Sequence, residues 1–414
     1  MHSIELAFQK IEYDKFVLRN YKAIPEDIEQ ELQNNLKKFK YRTDIRENYL
    51  RLSLLKKELP ISNEHSFYVK KFGVRGVRKI YASNGEAIYC IPVFCFPMGS
   101  WLSHYTNCYL IIGNEITLID TGSMTSETSF KEGLRVVRGF YGENIHIENI
   151  NNIIITHGHI DHFGGLSFLH PKSKAKIMVH EKDVDAIMDV ETRYLKVHQT
   201  IKIFLHQAGI PEEMREMMIK MHKGFKNILK SYPVSKTLKD GDLIINNYEI
   251  IHTPGHCPGS ICIKNGDVMF LGDHILMGIT PHQFPKLYMH GMGLIHYIPS
   301  LLKICARVQN VRLGLPAHNE KISKIKERAL EIIDSHHERL GNLIALLEKP
   351  KNLYDISSQY FSEIEGKDLE GYDKMLAIEE IAAHLEYLVE TLNCVRIINP
   401  ESSNQKSIPL YQAV

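Results

Sequence analysis

The chain contains 414 residues, of which 44% are hydrophobic and 24% charged, and its formal net charge at pH 7 is +1. This is the composition of a globular protein with room for more than one domain, and the balanced charge gives no overall indication of nucleic-acid binding. Seven cysteines, odd in number and without a Cys-x-x-Cys pair, argue against a disulfide framework or a cysteine zinc finger.

The first 65 residues, 1–65, alternate polar and apolar positions at helical spacing and predict an N-terminal helical extension, either a cap or an oligomerisation arm. Residues 1–85 contain 17 Lys and Arg against 11 Asp and Glu, and a solvated basic face is favoured over a phosphate-binding patch. The start lacks a basic stretch followed by an apolar one, and no run of about 18 apolar residues occurs. We therefore expect a cytoplasmic protein without a membrane partner.

Residues 66–320 are richer in β-type sequence and are predicted to form the catalytic domain. Short β-rich runs occupy 87–96, 108–112 and 115–120, and later strands alternate with helical connections. Strands that alternate with helices predict an α/β fold in which two sheets pack face to face with helices outside.

A polar motif follows the isoleucines at 153–155, which predict a buried strand: His157-Gly-His159-Ile-Asp161-His162-Phe-Gly-Gly. The imidazoles of His157 and His159 point the same way if the segment is extended, because side chains of an extended chain alternate. Asp161 and His162 bring a second pair of donors around the following turn, and the two glycines allow close packing. The motif therefore predicts ligands for two metal ions.

Three later strands also end in a histidine or a carboxylate, at His256, Asp273 and His318. Each of these residues alone is more typical of an ordinary turn. Four strand ends that deliver imidazoles and carboxylates in this order are what a closed pair of N/O metal sites requires, so we predict one common site.

With these motifs in place, the sequence from about Ile91 to His318 resembles the metallo-beta-lactamase-fold hydrolases. The resemblance implies an αββα sandwich and assigns the seven ligands to three positions: to the first zinc His157, His159 and His256; to the second zinc Asp161, His162 and His318; and to a bridging position Asp273. It also implies that Asp120, in Leu118-Ile-Asp120-Thr-Gly, orients the segment 157–165, which we call the metal loop, without binding an ion.

A helical lid insertion is predicted at about 182–231, between the first ligand motif and His256. The methionines that share one face of its second helix are Met214, Met217, Met218 and Met221. Methionine-rich surfaces adapt to varied apolar ligands, so this face either covers a greasy substrate or, as is favoured, packs on the sandwich.

Residues 321–399 are predicted to form a C-terminal helical domain, because helical spacing of apolar residues dominates there. Residues 400–414 are predicted to be a disordered tail.

The stretch 378–390 is similar to the last helix of a winged-helix-like tail found in one branch of the family. That branch includes beta-lactamase-like endoribonucleases and glyoxalase-II-like enzymes. On this helix Glu379, Glu380 and Glu386 would repel phosphate, so a helical buttress at the substrate entrance is favoured over a nucleic-acid reader.

Two zinc ions held by these ligands would share a water and lower its pKa from about 16 toward 7, which supplies hydroxide at neutral pH. Asp161 is then also the predicted catalytic residue, because its carboxylate can accept a hydrogen bond from the nucleophile and orient it. Iron or manganese can replace zinc, since imidazole and carboxylate suit all three metals.

Cys257 is predicted to be a small packing residue. Packing or surface roles are favoured over proton donation for four later histidines, His274, His282, His290 and His296.

The expected function is dinuclear-metal hydrolysis of an ester-like bond, with a thioester such as an acyl-CoA or a hydroxyacylglutathione analogue as the favoured small-molecule substrate. An endoribonuclease or phosphodiesterase is the alternative, and a binding protein on an inactive scaffold is disfavoured by the full ligand set. Gly158 departs from glyoxalase II, whose motif has a third histidine there. The substrate, the native metal and the oligomeric state stay open.

Overall fold

The computed structural model describes residues 77–95, 105–224, 230–245, 247–398 and 408–414. The predicted N-terminal extension and most of the basic stretch that follows it lie outside the described residues. Among the helices of the described part, none is both long and apolar enough to cross a membrane.

Within the described residues, the first sheet has seven strands in chain order. They are β1 Arg78–Tyr81, β2 Ala87–Phe94, β3 Tyr105–Ile112, β4 Ile116–Ile119, β5 Asn152–Ile155, β6 Lys176–His180 and β7 Lys236–Leu238. Pairing is antiparallel from β1 to β4 and parallel from β4 to β7. The strands predicted at 87–96, 108–112 and 115–120 are confirmed as β2, β3 and β4.

In the part of the chain that the structure describes, the second sheet has five strands in the order β12-β11-β10-β9-β8. They are β8 Leu243–Ile244, β9 Tyr248–His252, β10 Ile261–Asn265, β11 Val268–Gly272 and β12 Leu313–Pro316. Only the β11–β12 pair is parallel. The parallel pair places the ends of two predicted ligand strands side by side.

The isoleucine run of β5 shows how the layers are arranged. Ile154 packs in the core between the two sheets, with Ile250 and Phe270 of the second sheet. Ile153 and Ile155 point the other way, into a core beneath the outer helices. A strand covered on both faces has no need of polar alternation, which is why this segment is continuously apolar.

Helices cover both outer faces. The first sheet is covered by α1 Glu127–Gly139, α2 Ile160–Phe163, α3 Leu166–Leu169 and α4 Val184–Met188. The second sheet is covered by α7 Leu294–Arg307 and α8 Ile325–Leu346. The predicted αββα sandwich is therefore confirmed.

The insertion contains, after α4, the helices α5 Val190–Gln207 and α6 Glu212–Gly224. Their apolar residues, including Phe204 and Met218, share a core with the C-terminal helices α8, α9 Leu353–Gln359 and α10 Gly371–Glu390. The favoured packing role was right in kind, but the partner is the C-terminal helical group rather than the sandwich. Met217 and Met221 are exposed, at 43% and 39%.

The prediction of a disordered tail at 400–414 was wrong for its last part. The strand β14 Leu410–Ala413 pairs antiparallel with β13 Val395–Ile398, and Tyr411 also exchanges backbone hydrogen bonds with Lys351. These pairings supply the backbone partners that a short polar segment lacks by itself. Residues 399–407 lie outside the described part of the chain.

Candidate metal centre

The predicted ligands meet because the carboxyl ends of β4 and β5 in one sheet lie against those of β11 and β12 in the other. Backbone hydrogen bonds join the two sheets here: Ile261 N, at the start of β10, donates to Thr156 O at 3.0 Å, and Asn107 N of β3 donates to Ala317 O at 2.6 Å. Polar side chains just beyond these ends therefore project into one shared space between the sheets.

The first group of ligand atoms consists of His157 Nε2, His159 Nδ1 and His256 Nε2. His159 Nδ1 lies 3.0 Å from each of the other two nitrogens. Donor atoms about 2.0–2.1 Å from a tetrahedral ion are separated by roughly 3.3 Å. The three nitrogens are therefore spaced to surround one ion.

The second group consists of Asp161 Oδ2, His162 Nε2 and His318 Nε2. The carboxylate oxygen lies 3.6 Å from the His162 nitrogen and 3.4 Å from the His318 nitrogen. This spacing also suits a shared ion.

Asp273 stands between the two groups. Its Oδ2 lies 3.5 Å from His162 Nε2 and 3.3 Å from His318 Nε2 on one side. On the other side it lies 3.6 Å from His256 Nε2 and 3.9 Å from His157 Nε2. A single carboxylate oxygen thus faces both groups, as a bridging ligand would.

Unpartnered polar atoms support a metal at this place. His162 Nε2 and Asp273 Oδ1 are buried and have no hydrogen-bond partner among the described residues. A buried polar group without a partner costs about 1–3 kcal/mol, and an ion would remove that cost. The donor set of imidazole and carboxylate fits zinc, iron or manganese.

The charge states of the first group and of the two carboxylates suit ligation. Burial lowers the pKa of His157, His159 and His256, which keeps these imidazoles neutral. Burial opposes the charged form of Asp161 and Asp273 too, but the neighbouring histidines outweigh it and hold both carboxyl pKa values low. Neutral imidazoles and ionised carboxylates are the forms that bind metal.

Each of the five imidazoles is also held through the nitrogen that faces away from the ligand groups. The outward partners are Thr156 Oγ1 for His157, Cys257 Sγ for His159, Asp120 Oδ2 for His162, the His282 carbonyl for His256 and the Tyr105 carbonyl for His318. Such contacts fix the ring orientation and the tautomer of a ligand histidine.

Asp120 is placed as the resemblance implied. Its carboxylate accepts hydrogen bonds from Thr156 N and Thr156 Oγ1, both at 2.8 Å, and contacts His162 Nδ1 at 2.8 Å. Its backbone has φ +57°, a left-handed conformation that is uncommon for residues other than glycine. Gly165 lets the metal loop approach here, because a Cβ atom at that position would lie 2.1 Å from the Thr121 carbonyl oxygen.

Sequence reasoning missed Asp183, which supports the other side of the metal loop. This fully buried carboxylate accepts a hydrogen bond from Gly158 N at 2.8 Å and lies 3.6 Å from the Arg193 guanidinium. A Cβ atom on Gly158 would lie 2.6 Å from the Ala186 Cβ, which explains the glycine in the middle of the motif. Asp183 follows β6, the parallel neighbour of β5, and that position was the available signal.

The four later histidines lie in three different surroundings. His274 is buried against the Tyr297 ring. The ring centres of His290 and His296 lie 5.6 Å apart, near the surface. His282 lies between Glu379 and Glu380, whose carboxylates outweigh the effect of burial and raise its pKa to about 9. None of the four belongs to the two ligand groups.

The expectation that the glutamates of α10 would repel phosphate is not supported by their positions. Glu379 and Glu380 are buried, with exposures of 1% and 7%. They and Glu386 bind the segment 280–288, which we call the Phe284 loop. The contacts are Tyr288 Oη to Glu379 at 2.6 Å, Gln283 N to Glu380 at 2.7 Å and Lys286 N to Glu386 at 2.8 Å. Their charge is therefore used inside the protein, and the argument from phosphate repulsion does not hold.

The Phe284 loop borders the ligand groups. The half-buried Phe284 ring lies 5.7 Å from the His159 ring and 4.5 Å from the His282 ring. Helix α10 thus holds an aromatic side chain beside a ligand of the first group.

A further buried group, His336, Glu380 and His384, brings three possible donors together. His336 Nδ1 and His384 Nε2 are 3.0 Å apart, and the His384 Nδ1 donates to the Glu380 carbonyl. The Glu380 carboxylate already binds Arg339 at 2.7 Å and the Phe284 loop. This group is part of a hydrogen-bonded network that joins α8 and α10.

Comparison with known proteins agrees with this geometry. The family model described as the metallo-beta-lactamase superfamily matches residues 103–340. The chain belongs to the metallo-beta-lactamase superfamily. It is a metal-dependent hydrolase of that superfamily, and the ligand groups above lie within the matched region.

Relatives and solved structures are consistent with the assignment. The chain is 24% identical over 300 residues to "Probable metallo-hydrolase YqjP" of Bacillus subtilis (strain 168), covering 68% of this chain and 86% of that protein. It is 26% identical over 265 residues to "Beta-lactamase-like protein 2 homolog" of Caenorhabditis elegans, covering 62% of this chain and 71% of that protein.

The fold is shared with two crystal structures. A metallo-beta-lactamase family protein from Thermus thermophilus superimposes with a TM-score of 0.61 at 23% identity, covering 79% of this chain and 98% of that one. A beta-lactamase domain protein from Burkholderia ambifaria superimposes with a TM-score of 0.60 at 17% identity, covering 81% of this chain and 94% of that one.

Proposed function

We propose that this superfamily member is a two-metal hydrolase, most suited to zinc, that cleaves a small ester-like substrate, with thioesters as the favoured class. The observation that carries the two-metal proposal is the position of Asp273 Oδ2, 3.3–3.9 Å from four imidazole nitrogens of two groups. A site for one ion would not need a carboxylate shared in this way.

Two ions held here would polarise the scissile carbonyl and activate a water for attack at neutral pH. We assign to Asp161 the task of orienting that water, which its exposure supports, because its side chain is 29% exposed whereas that of Asp273 is 10% exposed. No serine or cysteine nucleophile is required by this scheme. The outward partners of the histidines hold the rings still while substrate binds.

Apolar side chains around the centre support a small acyl substrate. Phe284 lies beside His159, and Met277, 37% exposed, follows the third ligand strand. The Met277 carbonyl accepts a hydrogen bond from Asn319, the neighbour of His318, at 3.0 Å. An acyl chain would bury part of this exposed apolar surface, which a nucleic-acid backbone would not.

The test is a screen of purified, metal-loaded protein against acyl thioesters, lactones, phosphodiesters and RNA, with His159→Ala as the control. We expect the wild type to hydrolyse thioesters and His159→Ala to have little or no activity. Wild-type protein depleted of metal should lose this activity and regain it when zinc is added. Elemental analysis before reconstitution identifies the native metal among zinc, iron and manganese.

The endoribonuclease alternative predicts a different outcome of the same screen. RNA would be cleaved, and its binding would weaken steeply with salt because phosphate contacts release counterions. Turnover of RNA without turnover of any acyl substrate would replace the thioester proposal.

A further inference from the structure

The His159 imidazole differs from the other ligand imidazoles in the atom that holds it. The other four rings are held by oxygen atoms of Thr156, Asp120 and two backbone carbonyls. The Nε2 of His159 instead lies 3.2 Å from the Cys257 sulfur. This contact is a distinctive feature of the centre that sequence spacing did not indicate.

The two nitrogens of His159 have separate tasks. Its Nδ1 lies 3.0 Å from both His157 Nε2 and His256 Nε2, so Nδ1 is the atom that faces the ion. A ring that binds metal through Nδ1 carries its proton on Nε2. That N–H points at the cysteine sulfur, which accepts it as a weak acceptor.

The sulfur is itself fixed in place. Cys257 is fully buried, and its backbone N–H donates to Ser260 Oγ at 3.1 Å. Two residues further on, a Cβ atom on Gly259 would lie within 2.6–2.8 Å of Asp183, the residue that also anchors Gly158. The loop after β9 and the metal loop therefore close on the same buried carboxylate, and little freedom is left to the thiol.

We infer that Cys257 is a positioning residue for the first metal ion, which it supports by accepting the hydrogen bond of the His159 ring N–H. It acts through His159 and does not bind the ion, because the sulfur approaches the nitrogen that faces away from the other two imidazoles. Loss of such an outer partner commonly lowers metal affinity by about 10- to 100-fold.

The matched control is Cys262 on β10, another fully buried cysteine. Its sulfur lies 3.7 Å from the Leu271 carbonyl and 3.8 Å from Thr253 Oγ1, and it contacts no ligand of either group. Cys262→Ala removes the same atoms as Cys257→Ala from a comparably buried place. A difference between the two variants therefore reports on the His159 contact.

The experiment measures Co²⁺ and Zn²⁺ binding to metal-free full-length protein by competition with a chelating indicator, together with the absorption spectrum of the cobalt form. We expect Cys257→Ala to bind one of the two ions about 10- to 100-fold more weakly. Cys257→Ser, which keeps an acceptor, and Cys262→Ala should stay within a few-fold of wild type. The cobalt spectrum of the wild type should lack an intense sulfur-to-metal charge-transfer band.

Two results would overturn the inference. Equal affinities in wild type and Cys257→Ala would leave the sulfur a packing role, and a charge-transfer band lost in Cys257→Ala would make Cys257 a ligand. If Cys257→Ala does not fold, Cys257→Val against Cys257→Ser makes the same comparison. The inference rests on the proposed metal centre. Wild-type protein that binds no transition metal would refute that centre. An unchanged metal affinity in Cys257→Ala would refute the role of Cys257 alone.

Discussion

Asp161 and Asp273 are two carboxylates in one cluster, and their surroundings suit them to different roles in the proposed mechanism. Asp273 is enclosed by four imidazoles, with Oδ2 3.3–3.9 Å from each. Asp161 contacts only His162 and His318 of these imidazoles and is the more exposed of the two carboxylates. Exposure is required of a residue that orients a nucleophile, while enclosure suits a bridge.

Replacing Asp161 by Ala should therefore lower kcat by about 100-fold or more, because general-base and orienting groups contribute about 10²–10⁴ to rate. Turnover of the best substrate and metal content are measured on the same sample, with Asp185→Ala, an exposed carboxylate on α4, as the control. Full turnover in metal-replete Asp161→Ala would show that Asp161 does not orient the nucleophile.

Asp120→Asn should reduce metal affinity by about 10- to 100-fold while leaving the fold intact. Asparagine tolerates the left-handed φ of +57° at this position and can still accept from Thr156 N, but it offers an NH₂ or a neutral oxygen to His162 Nδ1 in place of a carboxylate. Metal titration and circular dichroism test the two halves of this prediction. A variant that unfolds when metal-free would indicate a structural role instead.

That the seven predicted ligands lie together could be predicted from sequence, because each belongs to a segment that follows a strand end and the fold brings those ends together. The contact of Cys257 could not be predicted in the same way. Cys257 meets His159 only because two loops from different sheets close on each other, with 98 positions between them along the chain. Local spacing carries no information about such a contact.

Helix α10 illustrates the limit at the scale of an element. Its glutamates suggested a helix that repels phosphate, yet the whole stretch from Met375 to Leu385 is buried. The sequence pattern indicated the helix correctly but not the loop that covers it, since Tyr288, Gln283 and Lys286 come from a distant segment. An acidic helix can be internal when backbone N–H groups and a cationic histidine occupy its carboxylates.

Glu386 on this helix should make stability depend on pH. Burial raises its pKa from an ordinary 4.5 to about 7. Between these values the folded protein keeps a proton that the unfolded chain releases, so the contribution is complete below pH 4.5 and is lost as pH rises through 7.

Glu386→Gln, which stays neutral and keeps an acceptor for Lys286 N, should remove this dependence. Urea unfolding at pH 5 and pH 8 should show wild type losing about 1–3 kcal/mol of unfolding free energy relative to the variant. Glu338→Gln, which changes an exposed carboxylate on α8, is the control. Parallel pH profiles for wild type and Glu386→Gln would contradict the prediction.

At the scale of the whole molecule, the metal centre is the place where the two sheets are joined. Asp161 and His162 follow a strand of the first sheet, whereas Asp273 and His318 follow strands of the second. Without an ion, the carboxylates outweigh burial and raise the pKa of His162 and His318, so protonated imidazoles replace metal–ligand bonds as the link between sheets. Bound ions would be held by residues of both sheets, and His162 and His318 would release their protons to bind them.

Metal removal should therefore lower thermal stability as well as activity. An ion that binds only the folded state and is present at about 100 times its Kd adds about 2.7 kcal/mol, and each kcal/mol shifts Tm by about 2–4 °C in a domain of this size. We expect chelated and dialysed protein to unfold about 5–10 °C below the zinc-reloaded sample in calorimetry. His159→Ala, which lacks one ligand of the first group, should show a smaller difference because it keeps the second group intact. Equal melting temperatures for depleted and reloaded wild type would mean that the ions do not join the sheets, since ligands drawn from both sheets cannot bind an ion without stabilising their contact.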